Sequence, residues 1–226
     1  MALQRLREWR RGRQFVREVA IVLLGVLIAL ALEQVALDWR DDARMAGMRA
    51  SMDEEIADFA QLLEIRRTLQ PCIVRKLDQI DGVLERGGGI GPWRDVGRPV
   101  FLFSSAGAWN SDASDLVSRH LGPERFRLYG EIYQGMAQYL DLSQREQEQW
   151  IALQTLERQD EPLDGERRWR LVEAAAGARN ANLILNAIAE QMLGHVGRFG
   201  IAPERTLSRS ELLGRPLCRP LTAAGR

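Results

Sequence analysis

The feature that most constrains this chain is an uncharged apolar run from Val19 to Leu32, directly after an arginine-rich N-terminus. The run holds five Leu, three Val and two Ile. At roughly −0.3 to −0.6 kcal/mol for each such residue, they favour membrane insertion by about 3 to 6 kcal/mol. The run alone is shorter than the roughly 20 residues that a span requires, but apolar flanks extend it. We therefore predict one tilted transmembrane helix over 15–37, with the lipid bilayer as its partner.

A cleaved signal peptide is the competing interpretation of this run. Ala29-Leu30-Ala31 has the small-x-small form of a cleavage site. That site lies inside the apolar run, however, and neither Pro nor Gly breaks the predicted helix directly beyond it. We expect an uncleaved anchor, and processing of the N-terminus is the alternative that stays open.

Charge predicts the orientation of the anchor. Residues 1–18 carry six Arg and two Glu, a net charge of +4, and the whole chain is neutral, so residues 19–226 carry −4. Positive charge is retained on the cytoplasmic side of a span. The expected arrangement is a basic cytoplasmic tail over 1–14, a bacterial inner-membrane anchor and a periplasmic helical domain over 38–202.

Composition argues for one globular exported domain that does not bind nucleic acid. Hydrophobic residues make up 46% of the chain, which is enough for a core. Nearly all basic residues are Arg, with Lys76 the only Lys, and we interpret this as codon bias in a GC-rich bacterial genome. The acidic exported part lacks the basic face of a nucleic-acid-binding protein, so no nucleic-acid partner is expected.

Two cysteines, Cys72 and Cys218, both follow the predicted anchor. In an oxidising periplasm an even pair is typical of a disulfide, whereas in the cytosol both would be incidental thiols. The residues after 203 are poor in apolar side chains and would fray unless something held them. We predict that Cys72 and Cys218 are joined; two buried free thiols, or bonds to separate partners, are the alternatives.

Apolar spacings of three and four predict a long amphipathic helix from Arg40 onward. Pro71 either kinks this helix or opens a second one at its first turn. Gly87-Gly88-Gly89 ends the pattern. The apolar positions are Met45, Met48, Met52, Ile56, Phe59, Leu62, Leu63, Leu69, Ile73, Leu77, Ile80 and Leu84.

The stretch 87–109 has no helical periodicity, and we interpret it as an irregular crossover along the bundle. Its apolar run Val100-Phe101-Leu102-Phe103 is a candidate extended segment. A phosphate-binding loop is excluded, because no strand leads into the glycines and no Lys-Ser or Lys-Thr follows them. The residues 203–226 are predicted to form a mostly irregular C-terminal tail, with Ser208-x-x-Glu211 capping one further turn.

Three later helices are predicted from their start signals. Asn110 or Ser111 caps a short one that runs to His120. Gly122-Pro123-Glu124 starts a longer one, in which the polar segment 143–149 is either an exposed helix or a break. Asp164 caps the last helix and Gly200 ends it. The predicted fold class is all-α, with the N-terminal transmembrane helix continuing into an antiparallel helical bundle.

Several short motifs lie around the anchor and further along the chain. They are Arg17-Glu18, Gly25-Val26-Leu27-Ile28-Ala29-Leu30, Glu33-Gln34, Asp38-Trp39-Arg40, Pro71-Cys72, Ser105 to Trp109 and Pro123 to Arg125. With these motifs the chain resembles a bacterial family of short, uncharacterised single-pass inner-membrane proteins, built from an N-terminal anchor and a helical exported domain of unknown function. The resemblance covers about the first 140 residues and is specific only at the anchor and its exit. It implies no catalytic residues.

The sequence does not favour an enzyme, and we expect no catalytic residue, cofactor or metal. His120 and His195 are the only histidines, which excludes a histidine-rich metal site in one chain. His195 lies on the apolar stripe of the last helix and is expected to be a satisfied core histidine. Carboxylate pairs such as Asp53/Glu54 are expected to be solvated on charged helix faces.

The leading hypothesis is therefore a membrane-anchored periplasmic interaction or scaffolding protein with an unknown membrane or periplasmic protein partner. The alternative is a ligand-sensing helical bundle. Such a sensor would act through a membrane partner, because its own cytoplasmic tail is too short for an output domain. Gly25 and Ala29 form a small-xxx-small pair in the span. Such pairs allow close helix approach, so a homodimer through the membrane is a further hypothesis.

Overall fold

The computed structural model describes residues 2–87, 93–101, 106–159, 161–201 and 208–223, with side chains from Ile21 to Thr222. These residues form five α-helices, two short 3-10 helices and two two-residue strands, which confirms the all-α class. By compactness the chain divides into a first unit, Met1–Met48, and a second unit, Arg49–Arg226.

Helix α1 runs from Ala2 to Glu85 and contributes residues to both units. Its apolar window has a mean hydropathy of 2.2 and none of it is buried, so by length and composition α1 can cross a membrane. Pro71 lies inside the continuous helix and does not open a second one. The ring of Pro71 is exposed, where water can satisfy the carbonyl that its missing N–H leaves without a partner.

The second unit is a bundle of the C-terminal part of α1 with α3 (Gly122–Leu153) and α4 (Gly165–Phe199). Contacts between α1 and α3 rise together in residue number, from Asp53 with Tyr129 to Arg66 with Glu146, so these two helices run parallel. Contacts of α4 run the opposite way, since Tyr129 meets Phe199 whereas Arg66 meets Asn182. The predicted antiparallel packing on α1 therefore holds for α4 but not for α3. The crossover after α1 carries the chain back along the bundle, so that α3 starts beside the earlier part of α1 and runs parallel to it.

Helix α2 (Ser111–His120) precedes α3, and its cap distinguishes the two candidates: the side chain of Asn110 accepts a hydrogen bond from the Ala113 backbone. Pro123 occupies the first turn of α3, as predicted. The polar segment 143–149 is neither a break nor wholly exposed. It continues α3, with Ser143, Glu146 and Gln147 buried.

Helix α4 has the predicted ends. The Asp164 side chain accepts a hydrogen bond from the Arg167 backbone. Gly200 closes the helix with φ at 71°, in the left-handed region that glycine adopts without a Cβ penalty. A 3-10 helix, Gln154–Arg158, lies between α3 and α4.

The C-terminal tail is more regular than predicted. Helix α5 (Arg209–Leu213) begins with the expected capping box between Ser208 and Glu211, and a 3-10 turn follows over Pro216–Cys218. Strand β2 (Thr222–Ala223) pairs antiparallel with β1 (Trp93–Arg94), so the tail joins the crossover. The predicted extended segment is not confirmed at Val100 and Phe101, which are in no strand, and its other two residues, Leu102 and Phe103, lie outside the described residues. The glycine-rich residues 88–92 also lie outside the described residues.

The core of the second unit lies between the three long helices. Its largest fully buried side chains include one charged group, Lys76, among aromatic and aliphatic ones. The others are Trp150, Tyr129, Tyr139, Phe59, Met52, Ile56, Leu63, Leu69, Ile73, Leu77 and Ile80.

Candidate functional site

A buried polar cluster joins the three long helices. Arg66 on α1 donates hydrogen bonds of 2.5 and 2.8 Å to the two carboxylate oxygens of Glu146 on α3. Arg66 also donates a 2.6 Å bond to the side-chain oxygen of Asn182 on α4. All three residues are at most 5% exposed. A planar guanidinium suits this bidentate pairing, and each group depends on the others because an unpaired charge there would be costly.

An aromatic clamp fastens the end of the crossover to the bundle. Trp109 stacks on Tyr129 and Tyr133 of α3, at centroid distances of 5.9 and 5.7 Å. The Glu55 carboxylate accepts hydrogen bonds from the Gly107 and Ala108 backbones at 3.0 Å, and from the Tyr133 hydroxyl at 2.9 Å.

The carboxylates of α1 also tune the two tyrosines of this clamp. Tyr129 donates to Asp53 at 2.8 Å, so Asp53 is not merely solvated as expected. Burial, together with a hydrogen bond to a carboxylate, raises the pKa of both Tyr129 and Tyr133 above the usual range. Both phenols therefore stay neutral donors, which gives the clamp a structural character.

A second fastening holds the C-terminal tail, and we call it the tail clasp: Cys72, Lys76, Asp95, Cys218 and Arg219. Cys72 and Cys218 lie at disulfide distance, with Cα atoms 4.8 Å apart. One helical turn further, Lys76 donates to the carbonyls of Asp95 and Arg219, the latter at 2.7 Å. The polar contacts of Lys76 thus hold the crossover and the tail to α1, and the cysteine pair brings the tail to disulfide distance of the same helix.

Burial lowers the pKa of Lys76 to about 8, although the carboxylates of Asp95 and Glu157 oppose the shift. Glu157 itself accepts from the backbone of Val96 at 3.0 Å. A lysine with a lowered pKa is a candidate nucleophile or base in an open cleft. Lys76 is only 1% exposed, so its geometry is that of a tie between segments.

A groove of about 620 Å³ lies between the first 3-10 helix and the start of α4. This volume falls in the range of small-molecule sites. Its lining is mostly apolar, with exposed charged side chains beside the apolar ones. The apolar residues include Leu156, Leu163 and Leu171, and the charged ones are Arg158, Glu161, Arg167 and Arg170.

The outer face of α4 is a second surface feature, defined here as Trp169, Val172, Ala176, Leu183 and Ala187. Trp169 is 67% exposed, Leu183 62% and Val172 38%. At about 100° per residue, these side chains point away from the buried positions Ala178 and Leu185. A surface helix is normally polar opposite its core face. Helix α4 departs from this pattern, because it has apolar residues on both sides and no other element of the described residues packs on the outer one.

The histidines form no catalytic arrangement among the described residues. His195 is half-buried, and its Nδ1 lies 3.4 Å from the Glu131 carboxylate without a hydrogen bond of acceptable geometry. The expectation that the polar atoms of His195 all have hydrogen-bond partners was therefore wrong. His120 is exposed at the end of α2. Within the described ranges, no group of three or more His, Cys, Asp or Glu residues is placed to hold a metal ion.

The predicted small-residue pair lies on the exposed surface of the first unit. Gly25 and Ala29 are both exposed, and a Cβ added at Gly25 would meet nothing within 4 Å. Helix packing at this position stays a prediction.

Sequence reasoning missed the buried polar cluster, the role of Lys76 and the outer face of α4. A signal existed for the first, because Tyr139, Ser143, Glu146, Trp150 and Leu153 recur at spacings of three and four and are all buried. The outer face was predictable in the same way, since Trp169, Ala176 and Leu183 are seven residues apart.

Searches against protein-family models, curated proteins and solved structures found no match.

Proposed function

We propose that this chain is a membrane-anchored periplasmic interaction protein that docks another protein on the outer face of α4. The carrying observation is the run of exposed apolar side chains on α4, directly opposite its core face. Exposed apolar surface that is contiguous is typical of protein interaction sites, and a partly exposed Trp is a frequent anchor of such contacts.

The rest of the second unit supports a scaffolding role. The polar cluster, the aromatic clamp and the tail clasp all fasten segments to one another, and none of them presents a reactive group in an open cleft. The polar cluster is the one of the three that includes α4, since Asn182 accepts a hydrogen bond from Arg66, and it fastens α4 to α1 and α3. A rigid helix presents its outer face with little ordering cost on binding, which favours association.

The anchor and its orientation are part of the proposal. The arginine-rich N-terminus favours a cytoplasmic start, and the cysteines at disulfide distance suit an oxidising compartment. A periplasm-dependent reporter fused after Arg226 should be active, and N-terminal sequencing of the membrane-bound protein should begin before residue 15. Sequencing that begins at Leu32 would exclude the anchor.

Photo-crosslinking in intact membranes tests the docking surface. A photoreactive phenylalanine analogue at Leu183 should give a defined protein adduct. The same analogue at Glu148 is the matched control, because Glu148 is exposed on α3 away from this face. Equal labelling from both positions, or none from Leu183, would contradict the proposal.

A ligand-sensing domain is the second candidate, and the groove beside α4 is the observation that favours it. A mostly apolar lining with three arginines and one carboxylate, that of Glu161, suits an amphiphile with an anionic head. Decanoate should then raise the melting temperature of the full chain in nonionic detergent, and Leu163→Arg should remove the effect. An unchanged melting temperature at saturating decanoate would reject the ligand-sensing candidate, and the docking proposal would remain.

A further inference from the structure

We infer that the partner of the outer face of α4 is the same face of a second copy of this chain, with the two α4 helices parallel. This inference rests on the proposed function, because it names the protein that docks there.

The spacing of the face is that of a helix pair. Trp169, Ala176 and Leu183 follow one another at seven-residue intervals, Val172 lies between the first two, and Ala187 follows Leu183. Arg179, between Ala176 and Leu183, pairs with Asp78 and Asp81 of α1. Seven-residue spacing keeps apolar side chains in one seam along two supercoiled helices. The small side chains of Ala176 and Ala187 allow the two backbones to approach, while Trp169 and Leu183 supply most of the apolar area.

Charges beside the seam complement each other in a parallel pair. Arg168 and Glu173 are exposed and lie on opposite flanks of the face, each about 70° from its midline on a helix of 3.6 residues per turn. Neither side chain forms an ion pair within the described residues. In a parallel pair, flanking residues five apart in sequence meet across the seam, so Arg168 of each copy faces Glu173 of the other.

An antiparallel pair lacks this complementarity. It brings like flanks of the two helices together, and the flank with Glu173 also carries Glu166, Ile184 and Gln191 but no basic residue. Charge therefore selects the parallel arrangement.

The face also has a defined end. Glu190 occupies the next seven-residue position after Leu183 and accepts a hydrogen bond from Asn186 of its own helix. Two copies of Glu190 would repel each other at the seam, so the contact is confined to the part of α4 from Trp169 to Ala187.

Cysteine crosslinking of the full chain in its membrane tests the parallel register. In a symmetric parallel pair each residue of the seam meets itself, so Ala176→Cys should give a disulfide-linked dimer on a nonreducing gel. Glu148→Cys is the control on α3 and should stay monomeric. Both positions are exposed, so the variants should keep the wild-type melting temperature.

Charge exchange tests the ion pairs. Arg168→Glu or Glu173→Arg alone should weaken dimerisation by about fivefold or more, because each converts two attractive pairs into repulsive ones. The double variant restores the pairing and should dimerise like the wild type. A double variant as weak as either single one would overturn the inference.

The outcomes also separate this inference from the proposed function. An adduct from Leu183 to a different protein, without an Ala176→Cys dimer, would reject the second copy and leave α4 as a docking face. The absence of both would reject both.

Discussion

Arg66 and Glu146 form a bidentate ion pair in the centre of the helical bundle, with the Arg66 side chain 5% exposed and that of Glu146 1% exposed. The two residues are 80 positions apart in sequence, so only the packing of α1 on α3 brings them together. Their contact fixes the register of two parallel helices.

Removing one partner of this pair should be far more harmful than removing both. Glu146→Leu leaves Arg66 buried without a counter-charge and should lower the free energy of unfolding by about 3–5 kcal/mol. Arg66→Met combined with Glu146→Leu should recover much of this loss. Chemical unfolding of the full chain in detergent measures both; Arg145→Ala, which breaks an exposed pair with Asp141, is the control and should change little.

A methyl group at Gly97 should disrupt the contact between crossover and tail. A Cβ added there would lie 2.5 Å from the Leu217 backbone nitrogen, and φ of Gly97 is 61°. Gly87→Ala is the matched control, because Gly87 also has positive φ but open space around it. The control should cost about 1–2 kcal/mol of unfolding free energy, and Gly97→Ala about 1–3 kcal/mol more. Equal losses would contradict the close approach.

The bond between Cys72 and Cys218 should hold the tail in place. Alkylation of the unreduced protein followed by mass measurement should label no thiol. Cys218→Ser should lower the free energy of unfolding by about 2–5 kcal/mol and speed tryptic cleavage after Arg209, the bond to Ser210. Two labelled thiols in the native protein would refute the bond and weaken the periplasmic assignment.

Lys76 should make the protein more stable as pH rises through the mildly alkaline range. Burial lowers its pKa to about 8 in the folded state from 10.5, so the unfolded chain binds more protons between these values. The contribution to stability is fully present above pH 10.5 and is lost as pH falls through about 8. Burial raises the pKa of Tyr139 to about 12, so above pH 10 tyrosine ionisation in the unfolded chain works in the opposite direction.

This effect is isolated by measuring the free energy of unfolding of the wild type and of Lys76→Met at about pH 7.5 to 9.5. That range covers the lowered pKa of Lys76. Only the wild type should gain stability across the range. A gain of the same size in Lys76→Met would assign it to other groups.

Association through the span is independent of the α4 face. Gly25→Leu replaces the small residue that allows two helices to approach, and it should reduce crosslinking between spans in the membrane. Gly47→Leu, at another α1 glycine without neighbours within 4 Å, is the control. If both variants crosslink as well as the wild type, the small-residue pair has no role in association.

Helix ends were largely predictable from local sequence. Asp164, Gly200 and the Ser208–Glu211 box act within one or two turns of the backbone, so their chemistry is visible without tertiary contacts. The apolar run of α1 is equally local. Pro71 was ambiguous because an exposed proline at a helix surface is tolerated, and exposure is a tertiary property.

By itself the sequence determined the all-α class, the apolar helix able to cross a membrane, the helix caps and the candidacy of Cys72 and Cys218 as a pair. Tertiary structure alone decided that α3 runs parallel to α1, that Arg66, Glu146 and Asn182 converge, and that Lys76 binds both the crossover and the tail to α1. The physical reason is range: caps and hydrophobic periodicity depend on neighbours a few residues away. The stability of a buried charge, in contrast, depends on partners that only the packed bundle supplies.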